Sequence, residues 1–233
     1  MQQAIQQTKI PNKAISLKVT LMVALGSALE YYDFIIYGML AKYLSFIFFP
    51  VNDNFSTNIQ TFSVFAMGYL ARPLGGTVIG MISDIYGRKK AFLLIMLMMA
   101  FSTFAIGLLP TYNTYGIISP ILLILCRLVQ GISFGAELPG ASVIVNEFSQ
   151  NNGIKGRLFS ILLSSTSLGS LVALLVLTVL TQNFSDIEIK NGLWRLPFLL
   201  GGGLAIISFY IRKQISETPE FLLIQAQVKT EKQ

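Results

Sequence analysis

Six apolar stretches recur along this chain, at about 18–47, 59–82, 91–109, 118–143, 157–182 and 193–212. Each is long enough to cross a hydrocarbon core of about 30 Å as a helix. None shows the alternation over about 10 residues that marks a membrane barrel strand. Charged residues make up 12% of the 233 positions, about half the share found in soluble domains, and the mean hydropathy is +0.65. The expected fold is therefore an all-α membrane protein, a six-helix transmembrane bundle.

Charge placement predicts the orientation, because cytoplasmic loops collect Lys and Arg. With the N-terminus inside, twelve basic residues fall on the cytoplasmic side: Lys9, Lys13, Lys18, Arg88, Lys89, Lys90, Lys155, Arg157, Arg212, Lys213, Lys229 and Lys232. Three fall outside: Lys42, Lys190 and Arg195. Both termini are then cytoplasmic. The organisation expected is a cytoplasmic tail over 1–17, a bundle over 18–212 and a cytoplasmic tail from 213 to 233. The net charge of +6 reflects topology, and no nucleic-acid partner is predicted. The Lys-flanked first stretch is read as an uncleaved helix, because Glu30 and Asp33 follow at once.

The composition also narrows the chemistry. The chain has no histidine and one cysteine, Cys126. That removes histidine acid–base catalysis, most zinc chemistry and any intramolecular disulfide. No G-x-x-x-x-G-K-[ST] occurs, so the chain carries no P-loop. No enzyme, metal or cofactor is expected; the lipid bilayer is the medium.

Charges inside the spans mark a candidate site. Gly26, Glu30, Asp33 and Tyr37 fall within an arc of about 60° on the first helix. A carboxylate at mid-membrane costs about 2.5–3.5 kcal/mol on insertion scales, so this stripe faces protein or water. Two close acids share a proton more readily than both ionise. The stripe thus suits proton loading, or else simple neutralisation by Arg72 or Arg127. Arg72 sits in the second span, before Pro73, which removes a backbone donor. Gly76 and Gly80 form a small-xxx-small pair on this helix. Glu30, Asp33, Glu137 or a substrate anion is the expected partner of Arg72, whose planar fork matches carboxylate. On the fourth span Arg127, Gln130, Phe134 and Glu137 share an arc of about 80° and make a second polar stripe.

The third span, without charge, reads as a peripheral, lipid-facing helix. The serines of the fifth span serve packing or substrate hydrogen bonds. Trp194-Arg195 reads as an interfacial anchor. Between spans two and three, Gly80-Met81-Ile82-Ser83-Asp84-Ile85-Tyr86-Gly87-Arg88-Lys89-Lys90 forms a charged hairpin. Gly87 supplies a turn that a Cβ would strain, and Asp84 is expected to meet a helix N-terminus or an arginine.

These pieces form a set. Leu29-Glu30-Tyr31-Tyr32-Asp33-Phe34, Ala71-Arg72-Pro73-Leu74-Gly75, the G-x-x-x-D-x-x-G-R-K hairpin and Arg127-x-x-Gln130-Gly131-x-x-x-Gly135-Ala136-Glu137 run in order along the chain. Trp194-Arg195-Leu196-Pro197-Phe198 and Glu217-Thr218-Pro219-Glu220-Phe221 follow. Together they resemble the metabolite:proton symporter branch of the major facilitator superfamily, the branch of proline/betaine, α-ketoglutarate, citrate and shikimate carriers. Where that branch usually has Gly-Gly-Glu, this chain has Gly135-Ala136-Glu137. The fifth span lacks the G-x-x-x-G-P-x-x-G-G pattern of drug:proton antiporters. Family members have twelve helices, so the chain looks like an N-terminal half plus the start of the central loop.

The resemblance implies an alternating-access, proton-coupled symporter of a small polar metabolite in a bacterial inner membrane. Proline or glycine betaine is the first expectation; a di- or tricarboxylate such as α-ketoglutarate or citrate is the alternative. A half-carrier needing a homodimer partner or a missing C-terminal half is the other. Glu30, Asp33 and Glu137 are then the expected proton-coupling residues. Arg72, Arg127, Tyr37 and Gln130 are expected to bind substrate or balance charge. Gly80, Asp84, Gly87, Arg88, Lys89, Glu147 and Arg157 would build a cytoplasmic gate, with Glu147 as the partner of Arg88.

Overall fold

The computed structural model describes residues 13–49, 54–149 and 153–231. Every regular element among them is helical. The main ones are α1 (Lys13–Phe48), α2 (Asn54–Leu70), α3 (Arg72–Tyr86), α4 (Arg88–Leu108), α5 (Ile118–Phe148), α6 (Lys155–Asn183), α7 (Arg195–Arg212) and α8 (Pro219–Glu231). Five of them, α1, α4, α5, α6 and α7, are long and apolar enough to cross a membrane. The sixth span is α2 and α3 together. Ala71 between them stays right-handed helical at φ −74°, ψ −15°. Its N–H donates to the Met67 carbonyl at 3.0 Å, and the Gly75 N–H donates to the Ala71 carbonyl at 3.2 Å. The interruption comes from Pro73, which has no N–H to offer the Tyr69 carbonyl.

α1 is central and packs against α2, α5, α6 and α7, while α5 packs against α2, α3 and α4. The α3–α5 crossing is close enough to exclude side chains. A Cβ on Gly75 would overlap the Ile132 carbonyl, and one on Gly135 would overlap the Arg72 carbonyl. The expected Gly76–Gly80 pair is not this contact: a Cβ at Gly80 would meet nothing. The seam is one residue earlier on α3, since the helix is rotated by where α5 presents its own glycines.

The third span is not peripheral. α4 buries Phe92, Ile95, Met96, Met99, Ser102, Thr103 and Ile106 and packs along α7 and α5. α6 is the helix with the open outer face, exposing Leu168, Leu171, Leu175 and Val179. Apolar composition alone does not separate a lipid-facing helix from a buried one. The α6 hydroxyls are largely spent on their own helix, as in Ser165 Oγ to the Leu162 carbonyl at 2.6 Å. Trp194 is fully buried, edge-on to Phe48 and Phe198; it belongs to the core rather than to a surface anchor.

The core is two apolar clusters. One holds Tyr32, Ile36, Leu40, Leu44, Ile106, Leu123, Trp194 and Phe198. The other holds Val19, Val23, Phe92, Ile95, Ala136, Ile144 and Phe148. On α1, α4 and α5 alike, buried polar residues lie between these two sets. Glu30, Thr103, Arg127, Gln130 and Ser133 thus form a charged layer between two greasy ones.

Candidate functional site: a charged layer between α1, α4, α5 and α7

The two stripes meet. Asp33 on α1 and Gln130 on α5 are both buried, and the Gln130 amide donates to Asp33 Oδ2 at 2.6 Å. The same amide donates to Thr103 Oγ1 on α4 at 2.9 Å. Arg127 Nη1 donates to Gln130 Oε1 at 2.6 Å and stands 3.8 Å from Asp33 Oδ2. Gln130 is therefore a bridge that holds a buried acid and a buried base just beyond direct contact. The Arg127 guanidinium lies flat on the Tyr37 ring, 3.3 Å from its centroid, so Tyr37 contributes its π face.

Arg72 is half-buried and lies in an aromatic box. Its Cζ is 3.6 Å from the Phe134 centroid, 4.0 Å from Tyr69 and 4.6 Å from Phe34. Among the described residues no carboxylate comes within 4.0 Å of it. The expected ion pair with Glu30, Asp33 or Glu137 does not form; quadrupoles replace it. The box opens on a narrow cleft, lined also by Asp33, Arg127 and Gln130. A guanidinium held flat with no anion attached can receive a carboxylate.

Glu137 is ion-paired with a residue that sequence reasoning put elsewhere. Arg212, counted above among the cytoplasmic charges, is 1% exposed at the end of α7. Its Nη2 stands 2.8 Å from Glu137 Oε1. Its Nε donates to the Met22 carbonyl at 3.1 Å, and Nη2 also donates to the Val23 carbonyl. The guanidinium lies over Phe92 at 4.2 Å and fills the space above Gly26, where a Cβ would collide with it. A hint was available in the sequence, since three acids inside the spans faced only two arginines. Glu30, 3% exposed, has neither oxygen hydrogen-bonded.

The hairpin makes a second cluster at the other end of α3. Gly87 turns the chain in one residue at φ +108°, in the region where a Cβ is strained. Arg88 Nη1 meets Asp84 Oδ1 at 2.6 Å, and its Nε lies 3.3 Å from the buried Glu147. Glu217 was quoted only within a motif, and it caps the start of α4. Its Oε1 accepts the Lys89 N–H at 2.9 Å and the Thr218 N–H at 3.1 Å. An N-terminal carboxylate suits the exposed N–H groups there. Asp84, Gly87, Arg88, Lys89 and Glu147 are thus brought together. Gly80 lines the adjoining open groove. Arg157 is exposed at the start of α6 and, among the described residues, makes no ion pair with them.

Comparison with known proteins agrees with this architecture. The family model described as sugar (and other) transporter matches residues 19–233. A proline/betaine transporter of Escherichia coli K12 is 38% identical over 208 residues, 88% of this chain and 41% of that protein. An alpha-ketoglutarate permease of the same organism is 39% identical over 195 residues, 84% of this chain and 45% of that one. A solved structure of the E. coli xylose transporter XylE, partially occluded and inward open, superposes with a TM-score of 0.82 at 18% identity. It is matched over 91% of this chain and 51% of its own. The chain spans less than half the length of these two sequence relatives. With its six spans, its two facing polar stripes and its one-residue hairpin, the chain belongs to the sugar (and other) transporter family of the major facilitator superfamily.

Proposed function

We propose that this chain is the N-terminal six-helix half of a proton-coupled symporter for a small polar metabolite, working by alternating access. Proline or glycine betaine is the first substrate class. The observation that carries the reading is the buried Asp33–Gln130–Arg127 chain opening on the same cleft as Arg72. Proton loading among the acids of this layer changes the charge that Arg127 balances, and Gln130 transmits the change between α1 and α5. Arg72 and Arg127 receive the substrate carboxylate, with Tyr37 and Gln130 orienting Arg127. Glu30 and Glu137 complete the proton-handling set. Asp84, Gly87, Arg88, Lys89 and Glu147 form the cytoplasmic latch, with Gly80 in its groove. Arg157 joins it only if α6 moves.

Carriers of this fold bind substrate between two halves. The transporting unit is therefore a pair, either two copies of this chain or this chain with a C-terminal half. It sits in a bacterial inner membrane with both termini cytoplasmic. With the buried Arg212 set apart, the count of eleven basic residues against three still supports this orientation. A dicarboxylate carrier is the second reading, supported by the alpha-ketoglutarate permease relative. The test is uptake of labelled proline, betaine and α-ketoglutarate into liposomes, with and without a co-expressed second half. Betaine uptake driven by an inward proton gradient is the expected result. No uptake of any of the three by the folded, paired unit refutes the reading.

A further inference from the structure

The charged layer does not pair off evenly. Asp33 has Gln130 and Arg127, and Glu137 has Arg212 at 2.8 Å. Glu30 lies between them, 3% exposed, with both oxygens lacking any hydrogen bond. It lines a tight crevice with Asp33, Glu137, Thr103 and Ser133. The charged groups that act on it are Glu137 on α5, Arg212 on α7, Arg72 on α3 and Asp33 on its own helix. Two of these are acids. Of the two bases, Arg212 stands 2.8 Å from Glu137 and donates through Nε and Nη2 to two carbonyls, its Nη1 without a partner, and Arg72 is held in its aromatic box.

An ionised carboxylate needs donors or a close cation when it leaves water; without them it takes up a proton instead. Glu30 has neither. We infer that Glu30 is the carboxyl that carries the proton in this conformation, and that Arg212 is the positioning residue that makes it so. Arg212 stands against Glu137 and thereby leaves Glu30 as the acid without a close cation. Nothing moves covalently: one proton enters the Glu30 carboxyl from water and leaves from it. This assignment rests on the symport reading above but selects one acid from its three.

The test needs neither substrate nor second half. Infrared spectroscopy of this chain in lipid at neutral pH reads the C=O stretch of non-ionised carboxylic acids directly. One acid equivalent is expected in the wild type. Glu30→Gln removes it, whereas Asp33→Asn leaves it in place. Arg212→Met strips Glu137 of its cation, so the band doubles; Arg212→Lys keeps it single and controls for folding. A merely structural Arg212 would not change the band. No band in the wild type, or a band that survives Glu30→Gln, overturns the assignment. Loss of the band in Asp33→Asn instead also overturns it, while leaving proton-coupled transport itself standing.

Discussion

Breaking the Glu137–Arg212 pair should cost far more than removing it whole. The two charges stand 2.8 Å apart with side chains 2% and 0% exposed. At an effective dielectric of about 20 their attraction is about 6 kcal/mol. Desolvation costs several kcal/mol for each ion, so the intact pair contributes little net stability. A single substitution is different, because it keeps one desolvation penalty and loses the attraction. Arg212→Met leaves Glu137 buried without a cation, and it frees the Met22 and Val23 carbonyls that the guanidinium satisfied. The expected loss is about 3–5 kcal/mol. Glu137→Gln strands Arg212, but the carbonyls still hold two of its donors, so the loss should fall at the lower end. The double variant Glu137→Gln/Arg212→Met removes both charges and should return to within about 1–2 kcal/mol of wild type. Reversible unfolding in mixed micelles, read by circular dichroism for all four proteins, gives the cycle. A double variant as unstable as the sum of the singles would refute the pairing.

The same layer and the hairpin yield further expectations. Gly87→Ala forces a Cβ into φ +108° and against Glu217; it should destabilise by about 1–3 kcal/mol, seen as a lowered melting temperature. Glu217→Ala removes the acceptor of the Lys89 N–H and should cost about 1 kcal/mol by the same melts. At the end of the bundle away from the hairpin, the Tyr43 hydroxyl, at 2.7 Å, and then Lys42 hold Asp186 below the usual carboxylate range. A depressed folded-state value contributes stability above the unfolded-state value and loses it as pH falls through the folded one. Melts of wild type and Asp186→Asn should therefore differ at pH 7 and converge in acid; a gap that persists in acid would sink this assignment.

The legible part of the site was what periodicity exposes. Asp33, Gln130 and Arg127 are within single helices, and a 3.6-residue repeat puts each on a predictable face. Stripes that cannot face lipid must face protein or water, which confines Asp33 and Gln130 to the interior without naming their contact. Of the partners expected for Arg72, none of the three protein carboxylates pairs with it, and the substrate anion stays open. Sequence favoured a carboxylate for a buried guanidinium, but Phe34, Tyr69 and Phe134 converge from three helices, and no one-dimensional pattern shows that. Arg212 was missed for a different reason. As the last residue of its span it looked like a topology charge, and its inward turn depends on the missing Cβ of Gly26, which is far away in sequence. Thr103 was invisible because a single hydroxyl on an apolar helix is usually bonded to its own backbone.

If Glu30 carries the proton, the charge of the layer fixes what can travel with it. Three guanidiniums, Arg72, Arg127 and Arg212, then face two carboxylates, Asp33 and Glu137. The excess of one positive charge is centred on Arg72, the base with no close anion. A single substrate carboxylate cancels it, which predicts one proton per substrate molecule. For betaine or proline, a net-neutral zwitterion, each cycle should carry one positive charge inward. For α-ketoglutarate, a dianion, one proton leaves a net negative charge moving inward, against a membrane potential negative inside. The carrier should therefore accumulate the zwitterion as the potential grows and be opposed by it for the dianion. Liposomes holding the paired halves, with potassium–valinomycin potentials imposed at fixed pH, separate the two. Glu30→Gln makes the neutral state permanent; it should keep betaine exchange and lose its dependence on the proton gradient. Betaine uptake indifferent to the imposed potential, or a Glu30→Gln protein still driven by protons, would refute the count.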